Sequence, residues 1–93
     1  MTAQKKRPVT VTALGVSAKA NPDALDDYDL FEVIAENGAS SATSLIAVGK
    51  ALFGEKGWKQ VTDDLRDEGG KLTITRVGEF LDAATDQIDA LKN

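Results

Sequence analysis

The sequence predicts an all-α domain, a small bundle of about four helices preceded by an extended or disordered N-terminal arm. Three observations point there. From residue 23 onward apolar side chains recur at three- and four-residue spacing, the repeat of one helix face. Helix start and stop signals punctuate the same stretch, with Asn21-Pro22-Asp23 at its head and Asn37-Gly38, Gly54 and Gly69-Gly70 further on. The alternating run Val9-Thr10-Val11-Thr12 is only four residues long and has no evident partner strand.

Residues 1–22 read as a basic arm and residues 23–93 as the helical domain. Within the arm, Val9 to Ala20 mixes β-branched alternation with Gly15 and small polar residues. A short edge strand, an ordered arm and a segment that orders on a partner all fit it. The first helix starts between residues 22 and 27, capped by Asn21 ahead of Pro22 or by Asp26 or Asp27. Tyr28, Phe31, Ile34 and Ala35 form its stripe, Leu30 and Val33 widen it, and Asn37-Gly38 ends it.

Ser40 or Ser41 caps a second helix, in which Leu45, Ile46, Val48, Leu52 and Phe53 make a broad apolar face and Gly54 is the stop. Gly49 inside it costs about 1 kcal/mol relative to Ala, and its use is to let another helix come close. A third helix runs from about Lys56 to Asp67 with Trp58, Val61 and Leu65 on one face, and Gly69-Gly70 terminates it. Thr73 caps the last helix, whose Ile74, Val77, Leu81, Ala84, Ile88 and Leu91 follow at intervals of three and four, with Phe80 alongside. That stripe is shorter than the roughly three to four heptads of a coiled coil, so it reads first as a core face and second as a seam for another helix.

At 93 residues the chain holds one domain. It has no Cys and no His, which removes the usual zinc, haem and iron-sulfur ligands, thiol nucleophiles and the side chain that titrates near neutral pH. Residues 1–22 carry Lys5, Lys6, Arg7 and Lys19 and no acid, so the net charge of −4 divides into +4 there and −8 over the rest. A body of that sign repels phosphate, which argues against nucleic acid, and the Lys5-Lys6-Arg7 cluster reads as solvated charge. Neither a signal-peptide core nor a membrane-spanning run of about 18 to 20 apolar residues is present, so a soluble cytoplasmic protein with no membrane partner is expected.

Asp63-Asp64-Leu65-Arg66-Asp67-Glu68-Gly69-Gly70 has the look of an acidic calcium loop. Aligning either glycine with the fixed glycine of such a loop puts Arg66 or Leu65 at a ligand position and Thr75 or Arg76 where the bidentate Glu belongs, so calcium is rejected. No Gly-rich phosphate loop occurs, and paired carboxylates on a solvated, charge-rich stretch give no acid-base site. The expectation is therefore a non-enzymatic protein with no catalytic residue, cofactor or metal. Its candidate partner-facing side chains are the large aromatics Tyr28, Phe31, Trp58 and Phe80, residue types that dominate cores and interfaces alike.

An ordered set of motifs adds a resemblance. Asp26-Asp27-Tyr28-Asp29-Leu30-Phe31-Glu32-Val33-Ile34-Ala35-Glu36, then Leu52-Phe53-Gly54, Trp58, and Leu65-Arg66-Asp67-Glu68-Gly69-Gly70-Lys71-Leu72-Thr73 ahead of a long final helix resembles the tail assembly chaperones of long-tailed bacteriophages, in the branch of Gram-positive phages and prophages. It spans about residues 23 to 91. The chain departs from that pattern at Gly69, where Asp or Asn is expected, and in an Ala- and Ser-rich connector where more charge is expected. The resemblance implies a non-structural assembly factor. Such a protein binds the tape measure protein, helps bring tail tube protein to it, works in the host cytoplasm and is left out of the mature virion. Many families also make a longer product by frameshifting, and this chain is similar to the short one. Homo-oligomerisation stays open. Two alternatives stand beside it: a generic small helical adaptor or regulator, and an acyl-carrier-like protein, for which Thr43-Ser44-Leu45 is the nearest match to an Asp-Ser-Leu attachment site but lacks the Asp.

Overall fold

A computed structural model describes residues 8–92, and its elements run β1 (Val9–Ala13), β2 (Val16–Ala20), a 3-10 turn (Pro22–Asp26), α1 (Tyr28–Asn37), α2 (Ala42–Leu65) and α3 (Ile74–Lys92). The two strands pair antiparallel, and this corrects the all-α expectation: three α-helices and a two-stranded sheet make the chain mixed α/β rather than a four-helix bundle. Lys5, Lys6, Arg7 and the side chain of Leu91 lie outside the described residues.

The hairpin forms because the run that alternates over Val9–Ala13 is answered by a second, Val16–Ala20, across the two-residue turn Leu14-Gly15. Both turn residues have positive φ, 53° and 78°, the backbone of a type I′ turn, whose twist suits the strands it joins. The register pairs Val11 with Ala18, Thr12 with Ser17 and Ala13 with Val16. One face is then apolar, and Val11, Val16 and Ala20 on it are buried. On the other face the hydroxyls of Thr12 and Ser17 meet at 2.8 Å. The hairpin is thus part of the core, packed on α2 through β2 and on α3 through β1.

Asn21 Oδ1 accepts from the Asp23 N–H at 3.1 Å to open the 3-10 turn, and Asp27 Oδ1 does the same for Asp29 at 2.9 Å to open α1. Of the three candidate caps, Asn21 opens the 3-10 turn and Asp27 opens α1, while Asp26 lies within the turn. Gly38, at φ 88°, closes α1 by donating to the Ile34 carbonyl at 2.7 Å.

Ser41 caps α2, its Oγ accepting from the Ser44 N–H at 3.1 Å. The separate second and third helices expected from the sequence are the two limbs of α2, divided at Gly54, whose φ of 75° and ψ of 167° interrupt the helix. The interruption leaves the Leu52 carbonyl able to accept from the Asn21 N–H at 2.7 Å, which ties the end of the hairpin to the bend. Trp58, from the second limb, folds back over Gly49 of the first so closely that a Cβ there would lie 2.5 Å from the indole. The helix that Gly49 admits is therefore the other limb of its own element.

Past α2, Asp67 Oδ1 accepts from the N–H groups of Gly69 and Lys71, both at 2.9 Å, and Gly70 turns the chain at φ 81°. The acidic turn is shaped by its own backbone bonds. Gly69 has no left-handed geometry, and a Cβ there would meet only Asp67 Oδ1 at 3.4 Å, so nothing in the backbone at this position requires a glycine. Thr73 Oγ1 caps α3 through the Arg76 N–H, and Arg76 Nε returns to the Leu65 carbonyl at 2.9 Å, satisfying an acceptor at the end of α2. Val77, Phe80, Leu81, Ala84 and Ile88 of α3 are buried, the core-facing reading of its stripe, while Ile74 at the start is 46% exposed.

Candidate interaction surface

The four aromatic candidates separate into two pairs. Phe53 lies 6.1 Å from Trp58 in a stacked arrangement and 5.8 Å from Phe80 in a tilted one, measured between ring centroids. Trp58 and Phe80 are buried in this cluster, so neither faces a partner. Tyr28 and Phe31 are at the surface, 72% and 50% exposed.

The first helix accounts for the difference. At about 100° per residue, Leu30, Val33 and Ile34 fall on one side of α1, and Phe31, Ala35 and Tyr28 fall on the other. The inner set is buried or half-buried, with Leu30 the deepest, and the outer set is exposed. The expected stripe Tyr28, Phe31, Ile34 and Ala35 is therefore divided, with Ile34 going inward and the other three outward. Local spacing had no means of choosing between the two sides, because α1 is apolar on both. α1 packs chiefly on α2, and one neighbour covers one side.

Glu32 and Glu36 border the outer stripe, and the Tyr28 hydroxyl donates to Glu32 Oε2 at 3.5 Å, a long contact. The wider setting is acidic. Between Lys19 and Lys50 the sequence has six acids, Asp23, Asp26, Asp27, Asp29, Glu32 and Glu36, and no Lys or Arg.

A second apolar area lies apart from the two exposed aromatic candidates. Ile46 on α2 and Ile74 on α3 are exposed by 42% and 46%. Ile74 stands between two adjoining hollows. One, of about 360 Å³, is lined by Leu45, Gly78, Glu79 and Asp82 among others, and the other, of about 330 Å³, by Ile46, Arg66, Leu72 and Val77. The available signal was position. Ile74 is the first residue after the Thr73 cap, where a helix has not yet entered the core, and Ile46 shares a crowded apolar face with Leu45, Val48 and Leu52.

Ser44 is fully buried, and its Oγ has no hydrogen-bond partner. In this fold the hydroxyl is closed to an enzyme that would attach a prosthetic arm, which weighs against the acyl-carrier alternative. Among the described residues, no group of three or more acids is placed to hold a metal ion, and no helix is long and apolar enough to cross a membrane.

Comparison with known proteins supplies no relative: no protein-family model, no curated protein and no solved structure matches the chain.

Proposed function

We propose that this chain is a non-catalytic assembly factor of the phage tail chaperone kind, which covers amphipathic helices of a tape measure protein until tail tube protein replaces it. The supporting observation is the outer side of α1, where Tyr28, Phe31 and Ala35 stand exposed on a body otherwise built around an ordinary core. Apolar residues repeated along an exposed helix face suit helix-against-helix recognition. The resemblance of residues 23 to 91 to tail chaperones supplies the identity of the partners.

The test is co-expression of the full chain with the tape measure protein and the tail tube protein of the same genome. The expected result is tape measure protein kept in the soluble fraction, co-eluting with this chain, and released when tube protein is added. Tape measure protein that precipitates to the same extent with and without the chain would reject the proposal and leave the adaptor reading in its place.

A further inference from the structure

We infer that the outer side of α1 docks a cationic amphipathic helix, one whose apolar residues at three- and four-residue spacing are flanked by Lys or Arg. The inference deepens the function proposed above and rests on it for the partner's identity, but the chemistry of the partner is argued from α1 itself.

The apolar part of the site is a ridge. Phe31, Ala35 and Tyr28 fall within about 60° of one another around the helix. Tyr28, Phe31 and Ala35 also follow each other at spacings of three and four, so they form a row that a second helix can lie against. Ala35, at the far end from Tyr28, is small enough for the two backbones to converge there. The other side of α1 is already used against α2.

The sign of the partner follows from what surrounds the ridge. Glu32, Glu36 and Asp29 occupy the adjoining arc of the helix, Asp27 caps it, and no cation occurs in the sequence from residue 20 to residue 49. A cationic helix gains from every one of these charges, while an acidic helix, an anionic membrane or a nucleic acid is repelled by them. A second copy docking ridge to ridge would bring the two acidic arcs together, which disfavours self-association through this face. The rim charges act mainly on partner choice and association rate, and Tyr28 and Phe31 supply the apolar contact.

The experiment uses the full chain and two fluorescein-labelled synthetic helical peptides with the same leucine positions, one carrying lysine at its polar positions and one carrying glutamate. Fluorescence anisotropy is expected to show the lysine peptide binding at least about tenfold more tightly, with the advantage shrinking as salt is raised. Tyr28→Ser with Phe31→Ser, both at exposed positions, is expected to lower that affinity by roughly tenfold while the thermal midpoint is held. Glu32→Lys with Glu36→Lys is expected to shift preference toward the glutamate peptide. Equal binding of the two peptides, or full binding by the Ser double variant, would overturn the inference. Binding lost in Ile74→Asp but kept in the Ser double variant would overturn it too and move the site to the hollows beside Ile74.

Tape measure protein provides the arm that separates this inference from the function it rests on. If the chain binds the lysine peptide but not tape measure protein, the tail chaperone reading fails and the α1 inference stands. If the Ser double variant binds tape measure protein as well as the parent does, the α1 inference fails and the tail chaperone reading stands.

Discussion

A methyl group added at Gly49 would sit 2.5–2.6 Å from three atoms of the Trp58 indole. Alanine is the better helix former by about 1 kcal/mol, but forcing a rigid ring away from a packed backbone costs about 1–3 kcal/mol. Gly49→Ala is therefore expected to lower stability, with a fall in the thermal midpoint of several degrees. An increase would mean that the two limbs of α2 do not fold back on each other. Truncation from the other side of the contact is expected to do more. Trp58→Ala removes a buried indole stacked on Phe53, at a cost of roughly 3–5 kcal/mol against a total stability of about 5–15 kcal/mol. Thermal or urea unfolding should show that loss directly, and a Trp58→Ala protein as stable as the parent would contradict the burial. At Leu14 the change runs the other way. An L-residue with a Cβ pays about 1–2 kcal/mol for left-handed geometry, and Leu14 holds φ 53° at the head of a turn that favours Asn. Because Leu14 is already 40% exposed, Leu14→Asn is expected to raise stability by about 0.5–1 kcal/mol, read as a higher thermal midpoint.

At the scale of the element, α1 is attached to the fold chiefly through one side, against α2. Its caps are good, with Asp27 at one end and Gly38 at the other, but it contributes a single buried side chain, Leu30. Only the half-buried Val33 and Ile34 join Leu30 on the inner side, so α1 has less apolar burial than α2 or α3 to offset the ordering of its backbone. Amide hydrogen exchange is accordingly expected to be faster across Leu30–Asn37 than across the buried stretches of α2 and α3, and equal protection would show that α1 is held by more than its inner side. The same one-sided docking explains what the sequence revealed of this element. Its stop at Gly38 was legible because that is a local chemical signal, and Asp27 was one of three candidate caps, but the start expected between residues 22 and 27 falls at Tyr28, since Pro22–Asp26 form a 3-10 turn of their own. Which of its two apolar sides turns inward was not legible, because that is decided by α2. The hairpin failed to show for a related reason. Val9-Thr10-Val11-Thr12 is a visible alternation, but its partner Val16-Ser17-Ala18-Lys19-Ala20 alternates through two alanines, a residue poorly suited to strands. Turn chemistry gave no help either, since Leu-Gly is not among the usual signals of a two-residue hairpin. Gly54, expected as a helix stop, interrupts α2 where the sequence places it, and what it makes is a fold-back of two limbs within one element.

At the scale of the whole molecule, two opposing tendencies share one surface. Exposed Tyr28, Phe31, Ile46 and Ile74 favour association, and a net charge of −4 opposes it between like copies. Salt screens the second without weakening the first. Raising ionic strength is expected to increase self-association of the free protein, followed by light scattering, while it weakens capture of a cationic helix. Two responses of opposite sign from one preparation separate copy-to-copy contact from partner binding, and self-association that falls with salt would show that attraction between charges holds the copies together. Of the four aromatics that the sequence offered for partner contact, the structure keeps two at the surface. Trp58 and Phe80 share helical spacing with their neighbours just as Tyr28 and Phe31 do, and only the fold-back around Gly49 and the docking of α3 draw them inside.

The Gln87 side chain donates from Nε2 to the Thr12 carbonyl at 2.7 Å and accepts the Thr12 N–H on Oε1 at 3.0 Å, a link between positions 75 residues apart. One amide therefore stands in for a third strand at that point of the sheet, and it arrives late. During synthesis the hairpin leaves the ribosome well before α3 exists, and a two-stranded ribbon alone is marginal in water. The limbs of α2, joined by a contact only nine residues apart in the chain, Gly49 to Trp58, can collapse first, since short loops close fastest. The nascent hairpin would then carry an open edge along β1 until the last helix reaches it, which leaves β1 open to wrong pairing with a neighbouring chain in that interval.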